Sequence, residues 1–234
     1  FTVEEGLGPA VERVADTCVS LVRDGAVRVC VSDTAAGGDR AAIPSLLAVA
    51  AAHDRLVEQG LRMACGLLVE TDEPRDTHMV ATLLGFGADA VCPRLALETV
   101  AHLSTIDKIG GDRPTPEVAQ QRLLAAFEDG VLKVMSKMGI ADVASYRGAR
   151  LFDAIGLDRR LCRRFFGGVP SAIGGIGLRT LEEEALARLA RANAATPWGF
   201  RLQGGLDVNS RLVVQRVSSL SYLLSVGHKT GQSQ

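Results

Sequence analysis

Aromatic residues are scarce: one Trp, two Tyr and seven Phe make up 4% of the 234 residues. The core must therefore be built from Ala, Leu, Val and Ile, a composition suited to helices packed on a parallel sheet. Charge of one sign is not in surplus. Against 27 Asp and Glu stand 26 Lys and Arg, a net charge of −1, so nucleic-acid phosphates would find no electrostatic attraction. The run Arg159-Arg160-Leu161-Cys162-Arg163-Arg164 is a local basic cluster and reads as a solvated helix face. No apolar stretch reaches membrane-spanning length and no signal peptide is visible. A cytoplasmic protein is expected, with neither nucleic acid nor membrane as partner.

The five cysteines, Cys18, Cys30, Cys65, Cys92 and Cys162, lack C-x-x-C spacing. Cys30, Cys65 and Cys92 fall in apolar, strand-like runs and are expected to be reduced core residues. Zinc or an iron–sulfur cluster is not expected. No G-x-S-x-G elbow or H-E-x-x-H helix appears. His53 and His78 fall on expected helices and read as hydrogen-bonded core residues. Gly37-Gly38, Gly167-Gly168 and Gly174-Gly175-Ile176-Gly177 lack phosphate-loop spacing and read as tight turns.

What is present is alternation of strand and helix. Thr2 and Glu5 form a capping box before a helix running to about Arg23, which Gly25 ends. Strands are expected at Val27–Val31, Met63–Val69, Ala88–Cys92 and Val131–Met135. Helices are expected after Pro44, from Asp76 through Leu84, at Leu95–Leu103 and Pro116–Glu128, and at Asp142–Ile155 with Gly156 as C-cap. A second capping box, Thr180 and Glu183, would open a helix to about Ala194. Such alternation argues an α/β fold with a parallel sheet of βα units and right-handed crossovers. Four units would make half of a TIM-like barrel, over residues 1–195. Residues 196–234 read as a tail or linker, with residues 228–234 expected to be disordered.

In a parallel sheet the carboxyl ends of the strands face the ligand side. That places Asp33, Glu70, Arg94, Ser136 and Lys137 on one expected rim. Acids and cations there can bind an anionic or amide substrate. They can equally satisfy one another as ion pairs between loops. Strand alternation would send Lys133, Met135 and Lys137 to one side, with Lys137 meeting Asp33 or Glu70.

The segment KVMSKMGI (Lys133 to Ile140), followed by SYRGARLFDAIGL (Ser145 to Leu157) and SAIGGIGL (Ser171 to Leu178), resembles the central domain of the large subunit of glutamate synthase. SDTAAGGDRAAIPSLLAVAAAH (Ser32 to His53), LLVETDEPRDTH (Leu67 to His78) and GFGADAVCPRLALE (Gly85 to Glu98) fit the same domain in the same order, so the likeness covers roughly residues 10 to 190. The resemblance implies an oxidoreductase system that turns glutamine and 2-oxoglutarate into two glutamates. In that family an amidotransferase domain releases ammonia and an FMN barrel with an iron–sulfur cluster reduces the imine. The central domain joins them, helps wall the ammonia tunnel and carries no cofactor. The chain alone would then be non-catalytic, with those two domains or a second copy of itself as partners. Binding or tunnel-lining residues would be Asp33, Arg40, Glu70, Arg94, Lys133, Ser136, Lys137, Met138 and Gly139. A fragment, a separate subunit and a divergent relative all fit. So does the alternative of a free-standing half-barrel that binds a small anion or FMN at the rim around Lys137.

Overall fold

The computed structural model describes residues 1–193 and 224–226. Helix α1 (Leu7–Arg23) buries Leu7, Val11, Ala15, Cys18, Val19 and Val22 along one face, and Gly25, with φ of 98°, turns the chain into β1 (Arg28–Ser32). Then follow α2 (Ser45–Glu58), β2 (Gly66–Thr71), α3 (Thr77–Gly85), β3 (Ala90–Pro93) and α4 (Arg94–Thr105). The strands form a parallel sheet in the order β1-β2-β3. Ser32 pairs with Glu70, and Thr71 with Pro93. The residues that close each strand therefore lie at one level.

The fourth expected strand is not one. Val131–Met135 lies inside α5 (Pro116–Met138), capped by Gly139 in the left-handed conformation. The buried residues Phe127, Val131 and Met135 recur every four residues, a helical stripe. Gly130 looks like a helix stop in the sequence, but it is where α5 meets α3: a Cβ there would lie 2.3 Å from Thr77 Oγ1. Lys133 and Lys137 therefore lie on an exposed helix face.

The expected helix Asp142–Ile155 is also corrected. Asp142 does cap a helix, accepting from Ser145 N–H at 2.9 Å. That helix, α6 (Val143–Tyr146), is one turn long and gives way to β4 (Phe152–Leu157). Buried Phe152 and Ala154 alternate with exposed Asp153 and Ile155, the period of a strand. Gly156, with φ of 80°, lies within the strand and caps nothing. After α7 (Arg159–Phe165) comes β5 (Ser171–Ile176), parallel to β4, then α8 (Leu178–Ala192). The short β6 (Leu224–Val226) pairs antiparallel with the other edge of β4. Gly175 is in strand, where a Cβ would lie 2.1 Å from Gly156 O, while Gly37-Gly38 and Gly167-Gly168 do take positive φ.

Both capping boxes are displaced. Thr2 Oγ1 accepts from Glu5 N–H at 3.2 Å, but α1 starts at Leu7. Thr180 lies inside α8, which starts behind Gly177. Apart from residues 224–226, the stretch 196–234, including the disorder expected of 228–234, lies outside the described residues.

Phe86, Tyr146, Phe152 and Phe166 gather between α3, β4 and α7. Phe86 stacks on Phe152 at 5.5 Å and meets Phe166 edge-on at 5.3 Å. Tyr146 Oη donates to Ala81 O at 3.0 Å, and its burial pushes the phenol's pKa up. Aromatic pairs of this geometry add about 0.5–1.5 kcal/mol beyond area burial.

Candidate functional site

The carboxyl ends of β1, β2 and β3 build the site. Asp33 follows β1, Asp72 follows β2, and Arg94 begins α4 directly after β3. Asp33 Oδ2 accepts from Thr71 Oγ1 at 2.7 Å and from Asp72 N–H at 3.0 Å. Arg94 pairs with Asp72 at 2.6 Å and lies 3.6 Å from Asp33. Arg94 stands at a helix N-terminus, where the helix dipole opposes a cation, and the two carboxylates offset that. Burial, then the neighbouring Asp33, raises the Asp72 carboxyl to about 6. Asp33 Oδ1, Asp72 Oδ1 and Arg94 Nε are buried and lack hydrogen-bond partners.

Glu70 lies beside them, accepting from Ser32 Oγ at 2.7 Å. Glu73, 8% exposed, turns inward. Its Oε2 accepts from Ser45 N–H at 2.8 Å and Ser45 Oγ at 2.5 Å, capping α2. Burial pushes its pKa up, against the pull of Ser45. Two adjoining clefts open here. One, of about 220 Å³, is lined by Ser32, Asp33, Ala35, Arg40, Glu70 and Thr71 among others. The second, of about 210 Å³, lies between the Gly37-Gly38 turn and α8, over Asp33, Asp72 and Arg94.

The rim thus brings together Asp33, Arg40, Glu70 and Arg94. Lys133, Ser136, Lys137, Met138 and Gly139 are not part of it: no residue of α5 lines either cleft. The expected pair of Lys137 with Asp33 or Glu70 does not form; Asp33 is held by Thr71, Asp72 and Arg94 instead. Asp72, Glu73 and Arg188, which lines the second cleft from α8, were not singled out from the sequence. The signal for the first two was there, as ETDEP directly after a strand; Arg188 comes from a helix more than ninety residues on, which no local pattern announces.

At the amino end of the sheet lies a second polar cluster. Arg62 donates from Nε to His53 Nδ1 at 3.0 Å, to Cys65 O and Gly87 O, and to Asp89 at 2.8 Å. Arg147 also pairs with Asp89. Burial, then the charge of Arg62, lowers the His53 pKa to about 4. His53 is a neutral, hydrogen-bonded structural residue, as its sequence position implied.

Cys18, Cys65 and Cys162 are buried, but Cys30 and Cys92 are exposed, contrary to expectation. Strand alternation points Val29 into the core and Cys30 to the opposite face. Burial raises the pKa of all five thiols. Among the described residues no three His, Cys, Asp or Glu side chains gather to hold a metal. No described helix is long and apolar enough to cross a membrane.

Residues 1–158 match the family model of the glutamate synthase central domain. The chain belongs to that family. It is 45% identical over 146 residues to the glutamate synthase [NADPH] large chain of Bacillus subtilis, covering 62% of this chain and 9% of that one. It is 40% identical over 188 residues to the corresponding chain of Azospirillum brasilense, covering 80% and 12%. The ferredoxin-dependent glutamate synthase of Oryza sativa is 37% identical over 205 residues, covering 82% and 13%. This central domain thus spans about a tenth of the length of these relatives.

Proposed function

We propose that this central domain is the connecting part of a glutamate synthase that converts glutamine and 2-oxoglutarate to two glutamates, walling the path of ammonia and performing no chemistry alone. The observation that carries the reading is an open sheet face. Parallel sheets are ordinarily covered on both faces. Here Val29, Leu67 and Val69 are buried on one face, while Arg28, Cys30, Ala90 and Cys92 are exposed on the other. That face is the inner surface a partial barrel would present. The sequential parallel order β1-β2-β3, with β4 beside β5, supports the same geometry. The amidotransferase and FMN-binding parts of the complete chain would cover it, with residues 1–195 as the unit and 196–234 as the linker onward. The C-terminal end of α5, with exposed Lys133, Ser136, Lys137 and Gly139 and half-buried Met138, would face those neighbours, and the cleft formed by Ser32, Asp33, Arg40 and Glu70 would lie along the passage.

Thiol labelling tests the docking. Cys30 and Cys92 should react in the 234-residue chain and be protected in the complete synthase; equal labelling in both defeats the reading. The passage is tested by Ala35→Trp, on an exposed loop residue lining the first cleft. In the complete enzyme it should lower glutamate formed per glutamine hydrolysed. Unchanged stoichiometry would remove this cleft from the tunnel.

A further inference from the structure

The second cleft combines charges that no simple ion satisfies. Its floor holds Asp33 and Asp72, each with one carboxylate oxygen lacking a donor, and Arg94, whose Nε–H lacks an acceptor. Asp33 is 91% buried, its side chain 9% exposed, and it lines both clefts. At the cleft's sides stand Arg40 from the loop and Arg188 from α8. Among the described residues neither arginine reaches a carboxylate within 4.0 Å.

We propose that this cleft binds the zwitterion of a small α-amino acid, with its carboxylate on Arg40 and Arg188 and its ammonium over Asp33 and Asp72. Carboxylates only accept and guanidinium groups only donate. A plain anion would satisfy the arginines and face two carboxylates. A plain cation would do the reverse. An α-amino acid brings three N–H donors and one bidentate acceptor on adjacent atoms, which matches both halves. Leu189, on the apolar side of α8, gives its side chain a wall. The inference goes beyond the connecting role and does not depend on it.

Calorimetric titration of the 234-residue chain with L-glutamine, L-glutamate, 2-oxoglutarate and ammonium chloride tests it. Saturable binding of an amino acid is expected, with 2-oxoglutarate and ammonium at least about tenfold weaker, the worth of one lost charged hydrogen bond. Arg188→Ala and Asp72→Asn should each weaken amino-acid binding about tenfold, with circular dichroism melts confirming that the variants fold. If Asp72→Asn does not fold, exposed Arg40→Ala makes the same test. The proposal is overturned if 2-oxoglutarate binds as tightly as glutamate, if neither amino acid binds a cooperatively folded chain, or if the folded variants bind like the parent. Each of those failures leaves the coupling stoichiometry of the complete enzyme untouched and so leaves the connecting role standing.

Discussion

Glu73 holds the start of α2 from outside the helix, and its removal should be the clearest single blow to the rim. The N-cap residue is Pro44, which offers no side-chain hydrogen bond. The orphan Ser45 N–H is met instead by Glu73, which also takes the Ser45 hydroxyl. Ordinary hydrogen bonds are worth about 0.5–1.5 kcal/mol each, and an unmet buried donor costs about 1–3 kcal/mol. Part of that gain is offset by the cost of burying the carboxyl group. Glu73→Ala should therefore cost about 2–4 kcal/mol net, or about 4–16 °C in melting temperature at the size-dependent rate of about 2–4 °C per kcal/mol. Glu73→Gln keeps an acceptor without the charge and should cost under about 1 kcal/mol. The sign of the pH effect follows from the raised pKa. Above the ordinary carboxyl pKa the unfolded chain has released its proton while the folded chain still holds it, so the parent loses stability as pH rises through the folded pKa. Glu73→Gln lacks that loss and should gain on the parent from about pH 4 upward. Thermal melts by circular dichroism over pH read all three. A Glu73→Ala chain that melts with the parent, or a glutamine variant as damaged as the alanine one, would refute the cap.

Asp72, raised to about 6 by burial and by Asp33, should make stability fall as pH rises from about 4 to 6; Asp72→Asn should flatten that slope in melts over the same range. Gly130→Ala should destabilise by about 1–3 kcal/mol despite alanine's better helix propensity, because its Cβ strikes Thr77, and adding Thr77→Ala should recover part of the loss in urea titrations. Lys137→Ala should leave the melting temperature within about 2 °C, since exposed side chains without special partners rarely matter more than about 0.5 kcal/mol. A large drop would mean the helix end is held by something not in view.

How legible this fold was depended on the range of the interactions involved. The three parallel strands could be read because β-rich runs ending in Asp33, Glu70 and Arg94 recur with helical runs between them. The fourth failed because Gly130 imitates a helix stop while serving as a contact surface for α3. The capping boxes show the same limit. Leu7 N–H is met by Glu182 Oε2 at 3.0 Å, and Ser45 by Glu73, carboxylates 175 and 28 residues away. A local rule looks three residues ahead and finds Thr2, where the fold has brought a distant acid instead; at Thr180 it misses that α8 already starts behind Gly177, with no side-chain cap. The one-turn α6 was overread for a similar reason: Phe152, Ala154 and Leu157 suit either period until Phe86 and Phe166 fix the face that is buried.

The two ends of the β1-β2-β3 sheet carry similar residue types in different states, and that contrast supports placing the proposed ligand at the carboxyl end. At the amino end Arg62 spends its guanidinium on His53, Cys65 O, Gly87 O and Asp89, and Asp89 also accepts from Leu67 N–H at 2.6 Å. The bonds from Arg62 and Leu67 fall on Asp89 Oδ2, and Arg147 holds Oδ1, so both oxygens are met in a network of the kind that fixes packing. At the carboxyl end Asp33, Asp72 and Arg94 meet one another yet keep three polar atoms unmatched beside open clefts. Unmatched buried polar atoms are rare in folded proteins because each costs stability. Beside the amino-end cluster Arg150 Nε also lacks a partner, but Arg150 pairs with Asp54 and lines neither cleft; it is at the carboxyl end that unmatched atoms meet the two clefts, and that is the ground on which we propose this end for a ligand.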